Sequence, residues 1–412
     1  MAKRPDTGRL LPRVLTASGA CFLVAGTFLF PTAARAAFTG TDGPIVFVSN
    51  RTATTPYCPG PYQGNELFVV SPGGGTAEQL TCTGQQDSHP FISPDGTEVV
   101  FSSTRAGGSP LLYTVPEGSN AGVNASVTTP TLVSVLPAGD TSVTDDYPSW
   151  SPAGDGTIVF QRTINGGTPQ LWTENVNNPG PTAAPVSSTP TGYSDTEPVY
   201  DPLNANIIAF VRSTGGDTQI FDYNLSTSST PPVNLSAVGD GGTASNDSKP
   251  DFAPNQGPNG NGQRIVFESD RACGQLQLYS MQDNGANQMP IFQQLNNGVP
   301  DGTQQCTSEA DENPVYSPQA DAIAYDRPGP NSQDVYDAYY VDLSAMRAAI
   351  GTPDDLTPNY ATDDQPNWGP VSLGAQTPES PFTVLLPISS AGLLGGGIVI
   401  SRRRSARRRL AS

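Results

Sequence analysis

One pattern recurs six times along this chain and leaves few folds open to it: Asp-x-x-Pro, with a second proline four residues after the first. It begins at Asp87, Asp145, Asp195, Asp247, Asp311 and Asp363. Five residues after each aspartate, between the two prolines, stands a large apolar residue: Ile92, Trp150, Tyr200, Phe252, Tyr316 or Trp368. A unit this small cannot shield its own apolar face, so repeats of this kind must stack on one another around a shared core.

Each of the first five motifs is followed by a β-branched and aromatic run that reads as a buried strand. These are Val99-Val100-Phe101, Ile158-Val159-Phe160, Ile207-Ile208-Ala209-Phe210, Ile265-Val266-Phe267 and Ile323-Ala324-Tyr325. An arginine stands two or four residues past each aromatic, at Arg105, Arg162, Arg212, Arg271 and Arg327. A second strand follows at Leu112-Tyr113, Leu171-Trp172, Ile220-Phe221, Leu278-Tyr279 and Tyr339-Tyr340, and several units end in an edge element such as Asn234-Leu235-Ser236 or Leu356-Thr357. The motif at Asp363 has no strands after it. The missing strands lie at the other end of the chain, where Ile45-Val46-Phe47 with Arg51, then Leu67-Phe68, then Leu80-Thr81 form a unit without an opening motif. The two fragments complete each other. The expected fold is therefore all-β, a ring of six four-stranded antiparallel sheets over residues 37–371, closed by one sheet that the two ends share, which removes exposed sheet edges. Forty-three glycines, 41 prolines and only 14% charged residues suit short strands joined by many turns.

The ends read differently. Residues 1–36 carry basic residues up to Arg13, an apolar run from Val14 to Phe30 and the small-residue site Ala34-Arg35-Ala36, the anatomy of a cleaved export signal. A lipoprotein reading would acylate Cys21 instead, but the apolar run continues past it. Residues 372–381 form a spacer, residues 382–400 an uncharged 19-residue stretch long enough to span a hydrocarbon core, and residues 401–412 a basic tail with six arginines, expected to stay cytoplasmic while the rest faces outward. Wall attachment is the alternative, although Leu386-Pro387-Ile388-Ser389-Ser390 fails the sortase pattern at its threonine and glycine. Between these ends the chain carries about 27 net negative charges, which excludes nucleic acid and favours a cationic partner. In an exported chain Cys58, Cys82, Cys273 and Cys306 are expected to pair. The repeat register matches Cys58 with Cys82 and Cys273 with Cys306, each pair within one unit.

The repeat Asp-x-x-Pro-x-aromatic-Ser-Pro, then Ile-Val-Phe-x-Ser-x-Arg, then Leu-Tyr, resembles the WD-like β-propeller repeat of the C-terminal domain of TolB. The resemblance covers about Gly43 to Pro370 and is clearest in the copies at Asp87 and Asp145. It implies a six-bladed propeller. The N-terminal α/β domain of that family has no counterpart here, so its role in an outer-membrane complex is not carried over.

Motifs for chemistry are few. No Gly-x-Ser-x-Gly elbow, Cys-x-x-Cys pair, histidine cluster or phosphate-binding loop occurs. The single histidine, His89, occupies a motif position held elsewhere by Tyr147, Glu197, Lys249, Asn313 and Gln365, which share no chemistry; it reads as a variable position rather than a base or ligand. The six aspartates recur too regularly for a catalytic ring. They are expected to accept hydrogen bonds from turn backbone and to pair with repeat arginines such as Arg105 or Arg271. The doubled acids Asp145-Asp146, Asp354-Asp355 and Asp363-Asp364 offer Ca²⁺ a carboxylate pair but lack the spaced oxygen ligands of a dedicated loop, and no other cofactor is expected. Tyr336, Tyr339 and Tyr340 suit either an aromatic surface or inward strand positions, and residues 342–350 suggest a short helix. The function these features favour is a monomeric, non-catalytic binding or scaffold disc at the cell surface for a protein, peptide or glycan. The alternative is a propeller glycan lyase or hydrolase with acidic residues at the axial mouth, which would require residues that break the repeat to converge in one pocket. A purely structural envelope role is a third reading.

Overall fold

The computed structural model describes residues 40–51 and 64–371, apart from 119–128, 137–138, 141, 181–182, 187–189, 214–215, 228–229, 239–244, 257–261, 297–298, 307–308, 329–332, 344–345, 350–353 and 359–360. The segments read as export signal, spacer, membrane anchor and basic tail lie outside these residues. Among the described residues no helix is long and apolar enough to cross a membrane.

The described chain is all-β, a propeller of antiparallel blades. Five sheets have four strands each. The Asp87 sheet is typical: Asp87–Ile92, Glu98–Ser103, Leu111–Pro116 and Thr131–Leu132 lie side by side in chain order. Its β-branched and aromatic middle strands are buried on both faces because each sheet is covered by its neighbours. The first strand of each sheet touches the next around a closed cycle, from Asp87–Ile92 through Val143–Trp150, Ser194–Asp201, Asp247–Phe252 and Glu312–Tyr316 to Asp363–Pro370 and back to Asp87–Ile92.

The two chain ends do share one sheet. Asp363–Pro370 pairs with Asp42–Ser49, placing Trp368 opposite Ile45, and Glu66–Val70 and Glu78–Gln79 complete it. Trp368 packs in the same buried cluster as Phe47 and Phe68, and its indole Nε1 donates to the Gly43 carbonyl at 3.0 Å. A Cβ on Gly43 would lie 2.4 Å from the Pro370 carbonyl carbon, so this closure requires glycine there.

Four sequence expectations need correction. The Asp311 sheet has five strands rather than four: Glu312–Tyr316, Ala322–Pro328 and Gln333–Leu343 are followed by Asp354–Asp355 on the near half of the third strand and Met346–Ala349 on its far half. In place of the helix expected over 342–350, the described residues there are strand, with Asp342 paired to Arg347 and Leu343 to Met346; cross-strand pairing overrides the helix propensity of Ala, Met and Arg. Tyr325 pairs with Tyr336, so Val335-Tyr336 takes the register assigned to Tyr339-Tyr340. Finally, the edge strands end just before Leu80, Leu235 and Leu356. Those leucines are buried, and the hydroxyl after each (Thr81, Ser236, Thr357) accepts the N–H of Leu67, Ile220 or Val335. An additional hairpin, Gln293–Asn296 with Val299–Gln304, enters between the Asp247 and Asp311 sheets, close to the Cys273–Cys306 disulfide. Cys58 lies outside the described residues.

Candidate functional site

Two rings of side chains arise from the six motifs. The first is uniform. Each repeat aspartate is buried and faces an arginine: Asp87 with Arg105, Asp145 with Arg162, Asp195 with Arg212, Asp247 with Arg271, Asp311 with Arg327, and Asp363 with Arg51. The two arginine spacings reach this point by different routes. Arg162, Arg212 and Arg327, two residues past the aromatic, grip the carboxylate with Nε and Nη2 together. Arg51, Arg105 and Arg271, four residues past, approach with Nη2 while Nε donates to Ser49, Ser103 or Ser269, which fills the vacated position. Every guanidinium lies about 5 Å over two aromatic rings, as Arg162 lies over Phe160 and Trp172 at 5.0 and 5.1 Å. These buried pairs are engaged in holding the blades together.

The second ring sits two residues further along the same strands and is not uniform. His89, Tyr147, Glu197, Lys249, Asn313 and Gln365 all have φ between 48° and 53°, the left-handed region that non-glycine residues seldom adopt. Each precedes a proline, and in every first strand, that of Asp363 included, the ladder slips at this point, for example between Asp146 and Ser149 or between Asp364 and Asn367. This is a bulge that turns the side chain out of the sheet. All six line one axial funnel, of about 100 Å³, whose wall is completed by Pro90, Pro148, Pro198, Pro250, Pro314 and Pro366. The position read as merely variable is thus where six unlike side chains converge.

They are tightly interlinked. His89 stacks on Tyr147 with centroids 3.6 Å apart, and its Nδ1 lies 2.7 Å from Asp146 Oδ1. Lys249 reaches across the mouth, its Nζ 4.0 Å from the Tyr147 centroid, donating to Tyr147 Oη at 2.7 Å and standing 3.5 Å from Glu197. Four ring N–H groups donate to side chains: His89 to Gln365, Lys249 to Glu197, Asn313 to Glu268 and Tyr147 to Asp146.

Several acids stand next to the ring residues, as Glu268 and Asp326 do to Asn313. Burial pushes the Glu268 carboxyl up to about 7, though Lys249 opposes the rise. Burial and then the neighbouring Asp364 hold Asp326 well above the carboxylate range, while burial with Asp363 and Glu312 raises Asp364 to about 6. Asp146 goes the other way. Burial alone would raise it, but the His89 charge and hydrogen bonds from His89, Ser102 and the Tyr147 N–H bring it below its ordinary value. Burial would also discharge Lys249; Glu197, Tyr147 and Glu268 outweigh that and keep it protonated.

Of the doubled acids considered for calcium, Asp145 and Asp363 are held by arginines, Asp146 by His89 and Ser102, and Asp355 accepts the Thr357 N–H at 3.1 Å. Among the described residues no group of three or more His, Cys, Asp or Glu side chains is placed to hold a metal ion. Glu268 and Asp326 were missed from sequence; the signal was an acid directly after the strand aromatic, where the other sheets carry Val48, Ser102, Gln161 and Val211.

No protein-family description matches the chain. Among solved structures it is similar to TolB from Acinetobacter baumannii, with a TM-score of 0.53 and 15% identity over 80% of this chain and 67% of that one. It is also similar to Kuenenia stuttgartiensis hydrazine synthase, with a TM-score of 0.54 and 15% identity over 81% of this chain, spanning about half (47%) of that one. At such identities the likeness concerns fold alone, and what it establishes is that this chain is a β-propeller of TolB-like architecture.

Proposed function

We propose that this chain is an exported, non-catalytic binding or scaffold module whose axial funnel holds part of a protein, peptide or glycan partner. Counting the five-stranded sheet as a blade gives a ring of six, each blade contributing one left-handed residue to the mouth. The observation that carries the reading is this ring. A strict repeat presents six unlike side chains at one axial point, while the repeated Asp–Arg pairs are used internally. The Cys273–Cys306 disulfide supports an oxidising compartment. Tethering at the surface rests on the apolar segment 382–400 and the arginines after it.

The test is site-specific photocrosslinking from p-benzoylphenylalanine placed at Asn313 or Gln365, with Thr131 on an outer edge strand as control, in cells making the full chain. Adducts confined to the funnel positions are expected; equal labelling at Thr131, or none at the funnel, overturns the reading. A second reading, a lyase or hydrolase, is favoured by the Asp146–His89 pair beside a Glu268 carboxyl raised to about 7. Shortening of envelope polysaccharide by the purified chain, lost in His89→Phe, would replace the first reading with the second.

A further inference from the structure

The funnel's hydrogen-bonding capacity is lopsided. Its cationic donor, the Lys249 ammonium, is taken up by Tyr147 and Glu197. Its acceptors are less fully engaged. Asn313, on the funnel wall, donates through Nδ2 to Asp326 at 3.2 Å, so its amide group meets a ligand as an acceptor through Oδ1. His89 is more telling. The Asp146 carboxylate can only accept, so the proton between it and His89 sits on Nδ1. In the neutral form of the imidazole the lone pair is then on Nε2, the opposite edge of a ring fixed by stacking on Tyr147. The prolines make the wall apolar, and about 100 Å³ admits a slender chain rather than a sugar ring. Glu197 and Asp251 belong to the lining, and Glu268 accepts the Asn313 N–H at 3.0 Å.

We propose that the axial funnel is an amine site: an ammonium group on a methylene stem, as at the end of a lysine side chain, lies along the proline wall and donates to Nε2 of His89 and the Asn313 amide oxygen. This rests on the funnel being the binding site, and it names the chemical class that site takes. The acids on and next to the wall, Glu197 first, supply the favourable potential for a cation, and Asp146 acts as a positioning residue by fixing the imidazole tautomer. Lys249 is a resident example of the same chemistry, an ammonium held by an aromatic face, a phenol oxygen and a carboxylate.

His89 is the chain's single histidine, so its ring nitrogens are uniquely observable. Nitrogen-15 spectra of the full chain labelled at histidine, recorded where the imidazole is neutral, should show Nδ1–H and an unprotonated Nε2; an Nε2–H ring overturns the proposal. Titration with Nα-acetyl-lysine methylamide should move the Nε2 resonance, whereas the norleucine analogue, equal in stem length but uncharged, should not. Asp146→Asn should shift the tautomer toward Nε2–H, and both it and His89→Phe should weaken the lysine probe at least tenfold by calorimetry. An unmoved Nε2 signal, or equal binding of the two probes, sinks the amine assignment. If funnel crosslinks are nonetheless obtained from Asn313, the binding reading survives and its ligand belongs to another class; if both fail, both readings fall.

Discussion

Two residues separate the most constant part of this molecule from the least. Each repeat aspartate is buried and faces an arginine, whichever sheet it belongs to. The ring that follows them in the same strands has a constant backbone and no constant side chain. The difference teaches where evolution of such a chain has latitude. The Asp–Arg pairs carry the energetic cost of a buried charge if altered, whereas the funnel residues are held by a bulge whose geometry does not depend on what they carry.

The largest effect should follow from breaking the constant ring at its most buried point. Arg162 and Asp145 are both fully buried, so Arg162→Met is expected to cost ~3–5 kcal/mol by urea unfolding, since it strands a carboxylate. Arg51, 21% exposed, should cost markedly less when changed to Met, because the arginine's own side of the pair is open to water although Asp363 is buried. Equal losses at the two positions would mean that burial does not grade these pairs. Removing the shared sheet's anchor with Trp368→Ala is expected to cost ~3–4 kcal/mol from cavity formation and the lost indole bond, and a value under 1 kcal/mol would show that closure contributes little.

A smaller effect concerns an acid on the funnel wall. Asp251, half-buried, accepts the Tyr316 N–H at 2.8 Å across a blade junction, and desolvation pushes it up to about 7 from an ordinary 3.8. Between those values the folded chain holds a proton that the unfolded chain has released. Its contribution is therefore complete at low pH and lost as pH rises toward 7. Asp251→Asn should remove ~1–3 kcal/mol of the decline in stability between pH 5 and 8; a slope unchanged in the variant refutes this. Least of all, Asn313→Gly should alter stability by no more than ~1 kcal/mol, because relief of a left-handed backbone offsets the lost amide bond to Asp326. A loss as large as that at Arg162 would erase the contrast between the rings.

Much of the frame was legible because it rests on side chains that recur. Asp363 belongs with Arg51, and Trp368 with Phe47, although more than 300 residues lie between them; the incomplete units at the two ends require it. The funnel was not legible for a physical reason. A residue before proline ordinarily reads as extended, so nothing in the sequence announces a left-handed bulge there. Unlike residues in one column then look like tolerance, when a common backbone in fact aims them all at one point. The hairpin from Gln333 to Ala349 escaped for a different reason: its composition favours a helix, and only pairing across the turn decides against it.

The shared sheet has a further consequence. Gln365 holds the His89 N–H and Asn367 the Ile92 N–H, both across the seam where the last strand meets the first full repeat. A polypeptide cut short before Asp363 would possess five of its six mouth residues and yet leave the imidazole's own segment unclamped. On the proposed reading of the funnel as a binding site, competence to bind would then double as a certificate that the whole ring has been made.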